Sequence, residues 1–575
     1  MIRLFRFLKP YRMQVVAVTV LVFLQSLANL YLPTLMADIV NKGIVTGDTD
    51  YIWRVGGYML LVTVGGTICA IIGIYFSARV ATGFGRIVRA KIFTRVQSFS
   101  LHEFDTVSTA SLITRTTNDT TQVQMVLVII LNMMISAPMT MIGGIILAIN
   151  QDATLSWIFV VIIPILVGAI LLIMRAALPL FRVIQIKLDK INLILDELLT
   201  GVRVIRAFDR NNYETRRFDE ANVDLTQISI KVNQIVAILF PTMMLVLNMS
   251  SVAILWFGAI RIDNGQMDVG ALFAFLQYAI QILFSVLMVS MLFIMLPRAA
   301  ASATRINEVL AIEPEIKDAE NVRRAEEQRG YVEFQDVTFS YPGAEEPAIS
   351  NISFSARPGQ VTAIIGGTGS GKSTLVNLIP RFYDIDSGAV LVDGEDVREM
   401  AQEHLRAKIG YVPQKAVLFS GTIDGNIRYG KQEASEDDIQ HALDVAQASE
   451  FVNEMKEGIY SVIAQGGTNV SGGQKQRLSI ARALVRQPEI YIFDDTFGAL
   501  DFKTDARLRA ALKSETREAT VLIVAQRVST VMDADQIIVL DEGRVAGIGT
   551  HRELMKTSDV YREIVSSQLS LEEIA

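Results

Sequence analysis

Six uninterrupted apolar stretches, at residues 13–40, 55–78, 123–149, 155–174, 235–260 and 271–296, limit what this chain can fold into. Crossing roughly 30 Å of hydrocarbon takes about 20 helical residues. No water reaches the peptide groups there, so stretches of this length cross as helices whose backbone hydrogen bonds close internally. The chain has 575 residues, 51% hydrophobic and 20% charged, too long for one core and too apolar for an ordinary water-soluble protein. The connections after the first, third and fifth stretches are short. Those at 79–122 and 175–234 are long, polar and compatible with helix.

Lysine and arginine accumulate in cytoplasmic segments, and here they gather on one side. Arg3, Arg6, Lys9 and Arg12 precede the first span, Arg86, Arg89, Lys91, Arg95 and Arg115 fill one long connection, and Lys187, Lys190, Arg203, Arg206, Arg210, Arg216, Arg217 and Lys231 fill the other. The opposite side offers little beyond Lys42, Arg54 and Arg261. The expected location is the cell membrane, multi-pass, with both termini cytoplasmic. At the N-terminus, Leu4, Phe5, Phe7 and Leu8 alternate with the basic residues, as in a short helix lying in the membrane interface.

The membrane pattern fades after Pro297, and Pro314 opens a charged linker. Residues 1–310 are read as the membrane domain with its interfacial helix and cytoplasmic coupling loops, 311–330 as the linker, and 331–575 as a nucleotide-binding domain. That last part alternates β-rich runs such as "YVEFQDVTFSY", "VTAIIGG", "IYIFDD" and "TVLIVAQ" with helical stretches, the pattern of a mixed α/β domain. The formal charge of -7 argues against nucleic acid. Cys69 is the only cysteine, so disulfides and cysteine metal clusters within the chain are excluded.

The sharpest motif is "GGTGSGKST", placed between an apolar strand and a helical run. Gly366, Gly367, Thr368, Gly369, Ser370 and Gly371 form a loop whose backbone N–H groups can converge on phosphate oxygens at a helix N-terminus. Lys372 is placed to contact the outer phosphates, Ser373 to offer a hydroxyl to Mg2+, and Thr374 completes the motif. Downstream, "IYIFDD" is a buried strand that delivers Asp494 to its carboxyl end, where ligands of α/β sheets gather, as a magnesium partner.

A third stretch, "NVSGGQKQRLSIARAL" at residues 469–484, resembles the signature motif of ATP-binding-cassette ATPases, and the resemblance extends from Tyr331 to the C-terminus with several motifs in order. Six spans before one cassette resemble a half-transporter of the exporter type, in particular the degenerate-site subunit of heterodimeric multidrug exporters. The fold class so implied is an α-helical transmembrane domain of six spans followed by a mixed α/β P-loop ATPase. By the resemblance, Tyr341 stacks on adenine, and Gln414 links the nucleotide site to the membrane part and joins Ser373 and Asp494 around the metal. Ser471, Gly472, Gly473 and Gln474 act on the ATP of a second subunit. Coupling helices that reach the cassettes are expected near residues 108–113 and 210–213.

Two positions depart from the family pattern. Where efficient hydrolysers carry glutamate after the magnesium aspartate, this chain has Asp495; where they carry a switch histidine, it has Gln526. A displacement of about 1 Å can cost on the order of a hundredfold in rate, and an amide carries no proton or charge at neutral pH. Gly498 and Gln465 are smaller departures, open to either a signalling or a neutral reading. The expectation is an ATP-driven translocase subunit whose partner, a different half-transporter, supplies the catalytic glutamate and histidine. A homodimer with weak ATPase and an ATP-sensing regulatory membrane protein remain the alternatives.

Few ionisable groups lie in the spans. Asp38 is the exception, a candidate cation or gate residue or a solvated interfacial acid. Gln25, Asn29, Asn132, Asn248 and Gln277 mark helix contacts or a cavity. The methionines, among them Met125, Met134, Met243, Met249, Met288 and Met295, either line an adaptable cavity or face lipid and neighbouring helices. A largely uncharged path favours hydrophobic or amphipathic cargo, drug-like molecules or lipids, moved out of the cytoplasm or inner leaflet.

Overall fold

The computed structural model describes residues 2–318 and 329–568, so half of the expected linker lies outside the described residues. The chain divides into two units: Met1–Gln97 with Thr109–Ile312, and Ser98–Ser108 with Glu313–Ala575.

Among the described residues, the first unit contains six helices long and apolar enough to cross a membrane: Arg3–Ile44, Thr49–Gln97, Thr109–Gln151, Trp157–Ala207, Asn211–Asp263 and Val269–Ala311. They extend well past the apolar stretches because the polar connections are themselves helix formers. Ile2–Tyr11 is wound as a 3₁₀ helix with Leu4 fully buried. Single π turns at Ile39–Ile44 and Arg115–Asp119 interrupt the α geometry, and such wider turns carry no sequence signal.

Polar groups tie the spans where hydrocarbon leaves them no water. Tyr278 on the sixth span shares a 2.7 Å bond with Thr34 Oγ1 and donates to Leu30 O on the first. Asn132 donates to Ser77 Oγ at 2.8 Å, so it makes a helix contact. Asp152, almost fully buried, accepts from Arg261 Nε at 2.6 Å. Asp38 is paired with Lys42 one turn on, at 2.8 Å, so its charge is answered within its own helix.

Among its described residues the second unit has three sheets. Strands β1 (Val332–Phe339), β2 (Ile349–Ala356), β4 (Ser387–Val392) and β5 (Glu395–Asp396) form an antiparallel sheet in the order β2-β1-β4-β5. The larger sheet contains β3 (Val361–Gly366), β6 (Ile409–Val412), β9 (Ile490–Asp494), β10 (Thr520–Val524), β11 (Gln536–Asp541) and β12 (Arg544–Gly549), ordered β12-β11-β3-β10-β9-β6. All its pairings are parallel except β11 with β12. A short pair, β7 (Gly421–Thr422) and β8 (Val462–Ile463), stands apart. β9 and β10 are buried along their whole length, as parallel strands covered on both faces require.

Residues Thr109–Thr114 form a short helix, and just before it in the chain, within the second unit and closed by a turn at Ser108 with φ +59°, comes the helix Leu101–Val107. Its start is fixed by a capping box in which Ser100 and Glu103 bond reciprocally. Glu103 Oε1 also accepts from the backbone N–H of Glu315 at 3.0 Å. The other long connection breaks between Ala207 and Asn211, beside the expected site at 210–213.

Candidate functional site

Strand β3 enters the phosphate loop and the helix Lys372–Leu378 leaves it. Gly371, the residue before that helix, has φ +91°, and a Cβ there would lie 2.6 Å from Ile349 Cγ2 and 2.9 Å from Ala348 O. At Gly366 a Cβ would lie 2.2 Å from Leu540 O. Glycine is required at both positions by close approach of neighbouring backbone. Gly367, Thr368 and Gly369 are exposed at the loop's apex, and Ser370 is buried beneath them.

Lys372 Nζ donates to Gly366 O at 3.0 Å and to Gly367 O at 2.5 Å. Burial lowers its pKa, against the pull of Asp495 and Asp494. Thr374 Oγ1 shares a 3.0 Å bond with the Tyr341 hydroxyl, which brings the aromatic to the helix that follows the phosphate loop. Tyr383, not foreseen from the sequence, packs edge-on against Tyr341 with centroids 5.4 Å apart. Burial, then the neighbouring Tyr341 and Asp105, pushes the Tyr383 phenol up to about 12.

Ser373 Oγ donates to Asp494 Oδ1 at 2.9 Å. Burial raises the Asp494 pKa, countered by the Ser373 hydrogen bond, raised further by Asp495 and countered again by Lys372. A hydroxyl and a carboxylate so placed fit a hard divalent ion, which prefers oxygen ligands. They would hold Mg2+, and the ion would neutralise phosphate charge there.

Asp495 sits between two amides. Gln526 Nε2 donates to its Oδ2 at 2.8 Å, and Gln414 Nε2 donates to the same oxygen at 3.1 Å. The sheet dictates this: β10, β9 and β6 are adjacent and parallel, and their carboxyl ends release Gln526, Asp495 and Gln414 side by side. Asp495 itself takes a left-handed backbone, φ +45°, and its N–H bonds Val524 O at 3.0 Å. The Gln414 amide nitrogen is thus turned to Asp495, and its carbonyl oxygen is the atom left for a metal. A Cβ at Gly498 would meet Asp495 Oδ1 at an ordinary 3.4 Å.

The signature residues form a separate group. Ser471 caps the helix Gly472–Leu484, accepting from Gln474 N while the Gln474 side chain accepts from Ser471 N at 2.9 Å. Ser471 and Gly472 are exposed. A helix N-terminus with a hydroxyl and bare N–H groups is suited to an anion, and the hydrogen bonds of the Ser471 and Gln474 side chains tie these two residues to each other.

In the first unit a cavity of about 600 Å³ is lined by Gln25, Asn29 and Gln277, together with Gln281, Ser136 and Thr140, which the sequence reading did not single out. Gln281 follows Gln277 by one helical turn, a spacing that could have found it. Of the methionines named from sequence, Met288 lines this cavity, Met243 is buried in a core cluster, and Met125, Met134, Met249 and Met295 are exposed.

Comparison with known proteins agrees with both halves. The family model for the ABC transporter transmembrane region matches residues 15–286, and the ABC transporter model matches residues 349–498. An uncharacterized ABC transporter ATP-binding protein of Mycobacterium tuberculosis is 45% identical over 98% of this chain and 97% of its own length. Another from Bacillus subtilis is 39% identical, covering 98% of each. The ATP-dependent lipid A-core flippase of Vibrio parahaemolyticus is 28% identical over 98% of this chain and 96% of its own. A bacterial Atm1-family ABC exporter solved with ATP bound superposes with a TM-score of 0.81 at 25% identity, covering 97% of this chain and 98% of that one.

Proposed function

The chain belongs to the ABC transporter family as a multi-pass, ATP-driven exporter half, and from that premise we propose that it pairs with a different half-transporter and serves as the subunit with the degenerate ATP site. In this reading Tyr341, Lys372, Ser373, Asp494 and residues 366–371 hold ATP with Mg2+, while Asp495 and Gln526 turn it over slowly or not at all. Ser471–Gln474 complete the partner's phosphate loop, where a glutamate and a histidine hydrolyse. Both termini are cytoplasmic, on the strength of the basic residues in the long connections.

One observation carries this reading: the oxygen of Asp495 that faces Gln414 also accepts from Gln526. A general base must have a lone pair free to take a proton from water. Here Oδ2 accepts from two neutral amides, neither of which can shuttle a proton, and Oδ1 is the oxygen left to take one. The carboxylate is also one methylene shorter than glutamate, which matters where positioning is most of the catalysis.

The cargo in this reading is hydrophobic or amphipathic, a drug-like molecule or a lipid. The uncharged cavity lining supports it, and so does the likeness to a lipid A-core flippase. The test of the asymmetry is the pair Asp495→Glu with Gln526→His. Turnover at this chain's own phosphate loop is expected to rise by at least about tenfold; unchanged turnover overturns the reading.

A further inference from the structure

We infer that the cavity of the first unit selects an uncharged amphiphile whose head carries an O–H or N–H donor, and discriminates against anionic and cationic heads of the same size. This rests on the reading of the chain as an exporter of amphipathic compounds and narrows the substrate class. At about 600 Å³ the space suits a drug-sized molecule.

Its walls are Gln25, Asn29, Gln277 and Gln281 facing apolar neighbours such as Phe284 and Met288. Among the described lining residues there is no Asp, Glu, Lys, Arg or His. A phosphate, sulfate or ammonium brought there would lose its hydration with no opposite charge to replace it, which is costly in a low-dielectric site. The amides are concentrated on two helices. Gln25 and Asn29 are one turn apart on the helix Arg12–Asp38, and Gln277 and Gln281 one turn apart on Val269–Ala311. Gln281 Nε2 donates to Asn29 O at 3.3 Å, which places the two pairs at one level.

A donor is specified by what is left over. Gln281 Oε1 is buried and has no hydrogen-bond partner among the described residues. Two of the lining hydroxyls are committed elsewhere, Ser26 Oγ donating to Val22 O at 2.8 Å and Ser285 Oγ to Ile282 O at 2.7 Å within their own helices. A buried acceptor without a donor is unfavourable, so a head group with O–H or N–H gains an interaction that a methylated head does not.

The test is photo-crosslinking of the full chain in nanodiscs with single-chain probes that share one diazirine-bearing alkyl tail. Their heads are glucoside, permethylated glucoside, sulfate and trimethylammonium, plus a headless alkane. Labelling of peptides spanning residues 25–36 and 277–288 is expected to be roughly fivefold or more stronger for the glucoside than for any other headed probe. Gln277→Leu with Gln281→Leu should remove that preference and leave the alkane labelling intact. Equal labelling by sulfate, or a glucoside preference that survives the leucine pair, overturns the inference. Should the leucine pair fail to bind ATP and so prove misfolded, the ranking of heads on the unmodified chain decides. ATP turnover is not read, so a failure here is separable from a failure of the asymmetric-site reading.

Discussion

Gln526 Nε2 lies 2.8 Å from Asp495 Oδ2, an amide donating to the carboxylate that would have to accept a proton from attacking water. Gln414 reaches the same oxygen from the opposite neighbouring strand. Side chains from three parallel strand ends thereby close on one another around Asp495.

The phosphate loop depends on glycines pressed against foreign backbone. Gly366→Ala and Gly371→Ala each place a methyl within 3 Å of a carbonyl oxygen, and the second also forces alanine to φ +91°. ATP affinity, measured with a fluorescent analogue on the purified chain, should fall at least about tenfold for each, given strain of order 1–3 kcal/mol.

Signature and phosphate loop should be separable. Ser471→Ala removes the hydroxyl that caps the helix Gly472–Leu484, at about 1 kcal/mol of local stability. In the assembled pair this should depress steady-state ATPase while the nucleotide retained on this chain stays constant. The check is a turnover assay beside filter-bound nucleotide.

How much of this was legible in the sequence can be traced residue by residue. The six spans were, because hydrocarbon demands unbroken apolar runs and nothing else in a chain looks like them. The meeting of Ser373 with Asp494 was, because a strand-loop-helix and a strand ending in aspartate both deliver their residues to the carboxyl edge of one sheet. A helix does lie at Thr109–Thr114, where residues 108–113 were read, but the preceding helix Leu101–Val107 went unread, although Ser100 and Glu103 spell a capping box in plain view. The double amide contact on Asp495 was not legible at all. It joins residues 81 and 31 positions apart, and only the strand order β10-β9-β6 makes them neighbours.

The segment Ser98–Ser108 is held to the ATPase unit through Glu103, whose carboxylate accepts from Ser100 and from the Glu315 N–H. Burial pushes its pKa up, but the hydrogen bonds together outweigh burial and leave it below the ordinary range. A depressed carboxylate stabilises above its unfolded pKa and ceases to as pH falls through the folded value. The protection factor of amides in residues 98–108, exchange corrected for its intrinsic pH dependence, should therefore be high and flat across neutral pH and fall only on acidification. Glu103→Gln should lower it roughly tenfold already at pH 7.

Asp119 is buried at the π turn within the helix Thr109–Gln151, accepting from Ser302 Oγ at 2.8 Å and Arg305 Nε at 2.7 Å on the sixth span. Arg305→Ala strands a buried carboxylate. Because the Arg305 side chain is 45% exposed, the cost is set at about 1–3 kcal/mol, below the range for a fully buried pair. The unfolding temperature in detergent should drop by several degrees, and Asp119→Asn in the same chain should recover most of it.

The account rests on this chain keeping its own ATP intact, and the most direct measurement is the identity of the nucleotide it carries. The purified chain, alone in nanodiscs, is incubated with Mg2+ and radiolabelled ATP, passed rapidly through a desalting column, and its bound nucleotide resolved after denaturation. The account predicts ATP as the dominant species over many minutes, with negligible release of phosphate. Recovery chiefly of ADP, with brisk and sustained phosphate release by the chain on its own, would contradict it.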